Sequence, residues 1–109
     1  MNDRRYPWLI LVPRHNGISE IHHLVGGDQI TLISEISTAT RALENLFQPT
    51  KINVAALGNI VSQLHVHVVA RFDEDEAWPS PVWGIGNSEN YSRDEARSLV
   101  NKLVTALSL

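Results

Sequence analysis

Hydrophobic residues divide the chain into segments with different periodicities. Residues 6–14, YPWLILVPR, form an apolar run framed by two prolines, which predicts a buried strand because proline is tolerated at strand ends. Residues 15–27 contain Asn-Gly and Gly-Gly pairs, which are typical of a connection with one helical turn. From Asp28 to about Phe47 the hydrophobic residues recur every three or four positions, which predicts an amphipathic helix with Asp28 as its N-cap.

The second half of the chain predicts a hairpin and a final helix. Residues 51–58 and 63–71 alternate in polarity, so we expect two strands that a short loop joins as an antiparallel hairpin. Residues 72–90 show no periodicity and predict a long irregular segment. A helix follows, because Ser92 and Glu95 have the spacing of a capping box. The order β-α-β-β-α indicates a single α+β domain over the whole chain, with a mostly antiparallel sheet.

Composition and charge narrow the function classes. The chain has 109 residues, of which 43% are hydrophobic and 19% are charged, as in an ordinary globular domain. A net charge of -3 without a basic stripe argues against nucleic-acid binding. The lack of cysteine excludes disulfides and cysteine metal sites. No apolar run approaches the roughly 20 residues that span a bilayer, and the charged N-terminus lacks a signal-peptide core. We therefore expect a cytoplasmic protein without a membrane partner.

The third predicted strand has a polar side chain at every second position. Gln63, His65 and His67 would share one face, with Cα atoms about 6.5–7 Å apart, because side chains alternate along a strand. Both imidazoles could then project into an open pocket and reach one phosphate-sized group. A neutral imidazole is a good nucleophile near pH 7, and a neighbouring donor stabilises charge on phosphoryl oxygens. The pattern therefore predicts attack on phosphorus.

Other interpretations of these residues stay open. Two histidines on one strand are sometimes a plain surface feature, and they can also present two nitrogens to zinc. Zinc would need a third ligand, for which the candidates are His15, His22, His23 and the acidic residues 73–76. The acidic run is typical of a solvated turn, but it could recruit a divalent ion that accompanies a polyphosphate. Trp78 and Trp83 could stack on a base or pack the irregular segment on the sheet.

The stretch QLHVHVVAR resembles the signature of the histidine triad (HIT) proteins, in which His-φ-His-φ-His-φφ (φ, hydrophobic) ends a strand. Upstream, LILVPR resembles the family's first core strand, and KINVAALGN resembles its strand and glycine loop before the signature. QLHVHV and the following AWPSPVWG are most similar to a proteobacterial branch resembling diadenosine tetraphosphate hydrolases. The resemblance covers most of residues 2–85 and implies an α+β, HIT-like fold with two main helices.

The resemblance assigns roles to the two histidines. With the register set by Arg71, His65 matches the family's middle histidine and His67 matches the third. This implies that His65 attacks an α-phosphate and forms a nucleotidyl-histidine, which water then releases, while His67 contacts the phosphate. No cofactor is implied beyond a divalent ion that could accompany the nucleotide.

Further positions match the family less closely. Asn59 lies where the family often has a glutamine beside the phosphate loop, and Asn2 or Asp3 falls near its ribose-contacting residue. The first triad histidine is Gln63 here. Because an amide can hold a phosphate but cannot shuttle a proton, this implies lower activity or a restriction to good leaving groups.

The function implied is a nucleotide hydrolase or nucleotidyl transferase that acts on dinucleoside polyphosphates or related nucleotide conjugates. The alternative is a non-catalytic nucleotide-binding module with a degenerate triad. Family members usually carry another strand ahead of MNDRRYPW, so we expect that this domain lacks it and exposes a sheet edge. They commonly form homodimers through a helix and a strand, which we also expect here.

Overall fold

Three strands and two main helices follow one another in the predicted order. The computed structural model describes residues 1–109. The elements are β1 (Trp8–Leu11), a 3-10 helix (Ile21–His23), α1 (Gly26–Phe47), β2 (Lys51–Ala55), β3 (Val66–Arg71) and α2 (Arg93–Ala106). They confirm the predicted α+β class. Neither main helix has the length and apolar character needed to traverse a bilayer.

The two helix starts test the capping predictions. Asp28 as the N-cap of α1 is wrong, because α1 begins at Gly26 and Val25 is its N-cap. The glycine pair that predicted a turn forms the first helical turn instead, and the Asp28 carboxylate lies there beside the positive end of the helix dipole. The capping box of α2 is confirmed, since the Ser92 hydroxyl accepts from the Glu95 amide and the Glu95 carboxylate accepts from the Ser92 amide.

The sheet has the order β1-β3-β2, and both pairings are antiparallel. The central strand β3 is buried throughout, while β1 and β2 are the edges. The β2–β3 hairpin is confirmed, but the strands are shorter than predicted and a loop of residues 56–65 joins them. Because β3 begins at Val66, Gln63 and His65 precede the strand instead of lying on it.

One face of the sheet packs under α1. Side chains alternate along β3, so Val66, Val68 and Ala70 point to this face, and all three are buried. Their partners are Leu32, Ala39 and Leu43 of α1, with Leu24 and Leu64 beside them. Full burial of one such aliphatic side chain contributes roughly 1.5–3 kcal/mol, which explains why the pattern of α1 is so readable in the sequence.

Segment 72–90 covers the opposite face of the sheet. It contains neither helix nor strand, as predicted. Its Ala77 and Val82 join Tyr6, Trp8 and Val69 in a buried apolar cluster, against which Trp83 and Ile85 also pack. The position of Trp83 over the sheet follows from this packing.

Two arginines anchor segment 72–90. Arg71 is 1% exposed and donates to both carboxylate oxygens of Asp75 (2.8 and 3.0 Å) and to Asn53 (2.8 Å). Arg5 donates to the Glu76 carboxylate and to the carbonyl of Ile85 (2.8 Å). Polar contacts to Arg5, which precedes β1, and to Arg71, at the end of β3, therefore fix a segment that forms no helix or strand of its own.

Candidate active site

His67 lies on β3 and contacts two indole rings, which also contact each other. Trp8 Nε1–H donates to His67 Nδ1 at 2.9 Å. The edge of Trp83 packs on the same imidazole, with ring centroids 5.1 Å apart. His67 is 6% exposed, so its ring is held from two sides and is largely shielded from water.

His65 lies one residue before β3, yet its ring is a neighbour of the His67 ring. The ring centroids are 5.0 Å apart, in an edge-to-face arrangement. His65 Nδ1 lies 2.7 Å from the backbone carbonyl oxygen of Gln63. A carbonyl only accepts hydrogen bonds, so Nδ1 carries the proton and Nε2 keeps a lone pair. The half-buried His65 can therefore act as a nucleophile through Nε2.

The Gln63 side chain does not join the two imidazoles. Its Nε2 donates to the backbone carbonyl of His15 at 3.0 Å, in an exposed position. We expected three polar side chains on one face, but only the two imidazoles lie together. Gln63 contributes its backbone carbonyl group, which contacts His65. The difference arises because residues 56–65 form a loop, in which the strict alternation of a strand does not apply.

Burial changes the acid–base behaviour of His67. Desolvation lowers its pKa below the ordinary value of 6.5, and the nearby charges of His65 and of the Met1 amino group lower it further. Because the charged form is disfavoured, the imidazole is neutral at pH 7. The site thus contains two imidazoles with different hydrogen-bond partners, of which His67 is neutral.

No hydrogen bond links the predicted substrate contacts to the imidazole pair. Asn59 is exposed in the loop of residues 56–65. The Asn2 side chain accepts from the amide of Tyr91 at 2.9 Å. Asp3 is 2% exposed and pairs with Arg5 at 2.8 Å, and this hydrogen-bonded guanidinium holds the pKa of the Asp3 carboxyl below its usual range. Contact of Asp3 with a ligand would require exchange of its partners, whereas the exposed Asn2 keeps a side-chain NH2 group that can donate to a ligand.

The recess beside His65 is small. Its volume is about 10 Å³, roughly the space of one water molecule. The lining residues are Ser19, Glu20, Ala56, Leu57, Gly58, Leu64 and His65. This recess is too small for a phosphate and does not provide the open pocket that we expected. A phosphate would fit this recess only if its lining residues, most of which belong to the loop of residues 56–65, moved apart.

The candidate zinc ligands do not gather around the histidine pair. No three histidine, aspartate or glutamate side chains lie close enough to hold a metal ion. His15 lies 3.4 Å from Asp28, and the rings of His22 and His23 meet edge to face, with centroids 4.5 Å apart, in the 3-10 helix. Within the acidic run, two carboxylates bind the arginines that anchor segment 72–90.

Trp8 is the site residue that sequence reasoning missed. In the sequence it is one member of an apolar run, and its hydrogen bond appears only once the register of β1 on β3 is known. One signal was available: a tryptophan in a buried strand needs a partner for its N–H, and few acceptors lie on a neighbouring apolar strand. Histidine is such an acceptor.

The protein is a small α+β domain with an antiparallel sheet and two neighbouring imidazoles, one on the central strand and one directly before it. A model of the HIT domain family matches residues 1–74. The chain belongs to the HIT domain family. No curated protein matches it.

Three solved structures are similar over nearly the whole chain. A histidine triad protein from Sinorhizobium meliloti 1021 has a TM-score of 0.94 and 45% identity, over 97% of this chain and 78% of that one. One from Bradyrhizobium japonicum has a TM-score of 0.95 and 42% identity, over 98% and 80%. One from Marinobacter aquaeolei VT8 has a TM-score of 0.95 and 44% identity, over 99% and 79%. All three are described as histidine triad proteins.

Proposed function

We propose that the protein is a nucleotide hydrolase or nucleotidyl transferase that works through a covalent nucleotidyl-histidine on His65. The observation that carries this proposal is the 2.7 Å contact between His65 Nδ1 and the Gln63 carbonyl, which leaves Nε2 with a free lone pair. The neighbouring His67 supplies a second imidazole, and the two ring centroids lie 5.0 Å apart. Membership of the HIT domain family supports a nucleotide ligand.

The reaction has two displacements at one phosphorus. In the first, His65 Nε2 attacks the α-phosphorus; the P–N bond forms while the P–O bond to the leaving group breaks, and the leaving oxygen departs with the bonding pair. The positive charge on the imidazolium is stabilised by its Nδ1–H bond to the Gln63 carbonyl. In the second, water attacks phosphorus, the P–N bond breaks, and the proton from water passes to solvent. Another acceptor in place of water would give a transfer reaction.

The other site residues would bind and orient the nucleotide. His67 contacts the phosphoryl oxygens in this proposal, and the exposed Asn59 lies on the loop that leads to His65. Asn2 would contact the ribose through its side-chain NH2 group, or Asp3 would do so after exchanging its present partners. Gln63 donates one side-chain N–H to the carbonyl of His15, and its second N–H would hold a phosphate.

Gln63 points to substrates with good leaving groups. An amide cannot transfer a proton to a departing oxygen, so a leaving group that is stable as an anion is needed. A dinucleoside polyphosphate, or a related nucleotide conjugate, satisfies this requirement because its leaving group is itself a phosphate. A divalent ion could accompany such a polyphosphate. The proposed location is the cytoplasm, where such nucleotides occur.

A non-catalytic nucleotide-binding module is the second candidate. Two observations favour it: the side chain at the first triad position is occupied elsewhere, and the recess beside His65 has room for about one water molecule. In this case the protein binds a nucleotide without turning it over.

We also propose that the protein is a homodimer. Ile30 and Ile33 of α1 are 74% and 57% exposed, and Val54 on the open edge strand β2 is 48% exposed. A groove of about 300 Å³ between Thr40 or Glu44 of α1 and the start of β2 shows that this side of α1 adjoins the edge. Ile33 lies on the same side of α1 as Thr40, because the two residues are seven positions apart and side chains at that spacing share one face of a helix. Pairing of two copies here would cover both the apolar side chains and the edge.

A panel of nucleotides tests the enzymatic function. Purified protein is incubated with mononucleotides, nucleoside phosphoramidates and dinucleoside polyphosphates, and products are separated by chromatography. We expect turnover of at least one phosphoanhydride or phosphoramidate, and its loss in His65→Asn. The matched control is His22→Asn in the exposed 3-10 helix, which should keep the wild-type rate. Full activity of His65→Asn would contradict the mechanism, and tight binding without products would favour the binding module.

A further inference from the structure

The sheet register brings Trp8 to His67. Trp8 is directly opposite Val69, and Ile10 is directly opposite His67, so the indole is the diagonal neighbour of the imidazole on one face. The two rings meet through the Trp8 Nε1–H···Nδ1 bond of 2.9 Å. Both side chains are buried, with 7% and 6% exposure, so little water can replace either partner.

The hydrogen bond between Trp8 and His67 can run in only one direction. Indole Nε1–H is a donor and has no acceptor capacity. His67 Nδ1 must therefore be unprotonated, and a neutral His67 must carry its proton on Nε2. The opposite tautomer, or the imidazolium, would place two N–H groups against each other in a buried site, with the loss of a hydrogen bond and the burial of unsatisfied donors.

The neighbouring histidine is held in the complementary form. His65 donates through Nδ1 to a carbonyl and keeps its lone pair on Nε2. His67 accepts at Nδ1 and keeps its proton on Nε2. The pair thus offers one nucleophilic nitrogen and one hydrogen-bond donor, and the two are set by separate backbone or side-chain partners.

We propose that Trp8 is a positioning residue that, through its indole N–H, locks His67 in the Nε2–H tautomer and so makes it a permanent donor to the phosphoryl group that His65 attacks. The catalytic part rests on the proposed function, whereas the tautomer does not. A lone pair at His67 Nε2 would repel the phosphoryl oxygens, while the N–H stabilises the charge that develops on them.

The surroundings of His67 contain few groups that could set its tautomer instead. Ile10 from β1 and Ala55 from β2 are its apolar cross-strand partners, and Trp83 packs on it by ring contact alone. The charged or titratable groups that influence it are His65 and the Met1 amino group. The latter donates to the Trp8 carbonyl at 2.9 Å, not to the imidazole.

The test measures the tautomer directly. Protein with 15N-labelled histidine is studied at pH 7.5 by long-range 1H–15N NMR, with His65→Asn and His67→Asn used to assign the two rings. In the wild type we expect His67 with unprotonated Nδ1 and protonated Nε2. In Trp8→Phe, which keeps an aromatic ring but removes the donor, we expect averaging of both tautomers and at least a tenfold loss of kcat/KM.

Trp83→Phe is the matched control. It also shrinks an indole that packs on His67, but it leaves the Trp8 hydrogen bond in place. We expect it to keep the single Nε2–H tautomer. If Trp8→Phe gave the same tautomer as Trp83→Phe, the indole N–H would have no positioning role and the proposal would be overturned.

Two further outcomes keep the proposal separate from folding and from the proposed function. A wild-type spectrum in which His67 carries its proton on Nδ1 would overturn the proposal. The proposal can therefore be tested even if the Trp8→Phe variant does not fold. A wild-type Nε2–H tautomer that is lost in Trp8→Phe would support the positioning role even if no nucleotide were turned over. In that case only the enzymatic function would fail.

Discussion

At the scale of single residues, the site depends on which atoms the two imidazoles face. The alternation QLHVH predicted that both rings lie together, and they do. It could not predict that Gln63 would serve through its backbone, because the loop before β3 departs from strand geometry. Nor could it supply Trp8, whose contact depends on a pairing between strands far apart in the sequence.

Burial of His67 predicts a specific pH dependence of stability. Its pKa is lowered in the folded protein, whereas the unfolded chain has the ordinary value near 6.5. As the pH falls below about 6.5, the unfolded chain binds a proton first, so the free energy of unfolding decreases until the folded pKa is passed. In urea denaturation between pH 7.5 and 5, the free energy of unfolding of His67→Asn should fall less steeply with decreasing pH than that of the wild type. The amide oxygen of the asparagine can still accept the hydrogen bond from Trp8.

The exposed His22→Asn variant is the comparison for this slope. It should follow the wild type across the pH range. An unchanged slope in His67→Asn would show that this imidazole is protonated equally in the folded and unfolded states.

Gln63 predicts a dependence on the leaving group. Gln63→His places a group that can transfer a proton at this position, and general acid catalysis contributes about 10²–10⁴-fold. We expect a large rise in turnover of substrates with poor leaving groups and a smaller one with phosphate leaving groups, measured by steady-state kinetics. Gln63→Asn keeps an amide and should show no such rise. Tight nucleotide binding without turnover in all three forms would instead indicate the binding module.

At the scale of elements, regular structure was predictable to the extent that local pattern determines it. The helix of α1 was predicted within two residues, because its buried stripe repeats over many turns. The strands were predicted too long, because apolar residues continue beyond the hydrogen-bonded ladder into the flanking turns. The position of segment 72–90 was not predictable, since it depends on ion pairs between distant residues such as Arg5 and Glu76.

The buried ion pair of segment 72–90 predicts a large effect of one carboxylate. Asp75 accepts from Arg71 and from the amides of Phe72 and Trp78. Asp75→Ala would leave the buried guanidinium without its carboxylate, which costs about 3–5 kcal/mol when a buried pair is broken. We expect a loss of this order in the free energy of unfolding by urea denaturation.

Asp73→Ala provides the control for this carboxylate. Asp73 is exposed in the same acidic run and lacks an arginine partner, so its removal should change stability by less than about 0.5 kcal/mol. Similar losses in both variants would mean that the pair with Arg71 contributes little.

At the scale of the whole molecule, the proposed homodimer predicts that the wild type has the mass of two chains in solution, and that a variant with a disrupted interface has the mass of one. The patch formed by Ile30, Ile33 and Val54 should be buried between two copies. In analytical ultracentrifugation we expect a dimer for the wild type and a monomer for the Ile33→Glu/Val54→Glu double variant, because desolvated carboxylates at the centre of an interface are strongly unfavourable.

Val100→Glu tests whether any exposed apolar side chain would do the same. Val100 is 55% exposed on α2 and lies outside the proposed patch. This variant should remain a dimer. A monomeric wild type, or a dimer that survives the double substitution, would place the interface elsewhere or remove it.

The covalent step is the central claim, and peptide mass spectrometry tests it most directly. The protein is mixed with a dinucleoside polyphosphate that serves as its substrate. The reaction is stopped within milliseconds under conditions that preserve P–N bonds, and the protein is then digested. The account predicts a nucleoside monophosphate on the peptide that contains His65, absent from His65→Asn and present in His22→Asn. Turnover at the normal rate with no modified peptide, or with the modification on another residue, would contradict it.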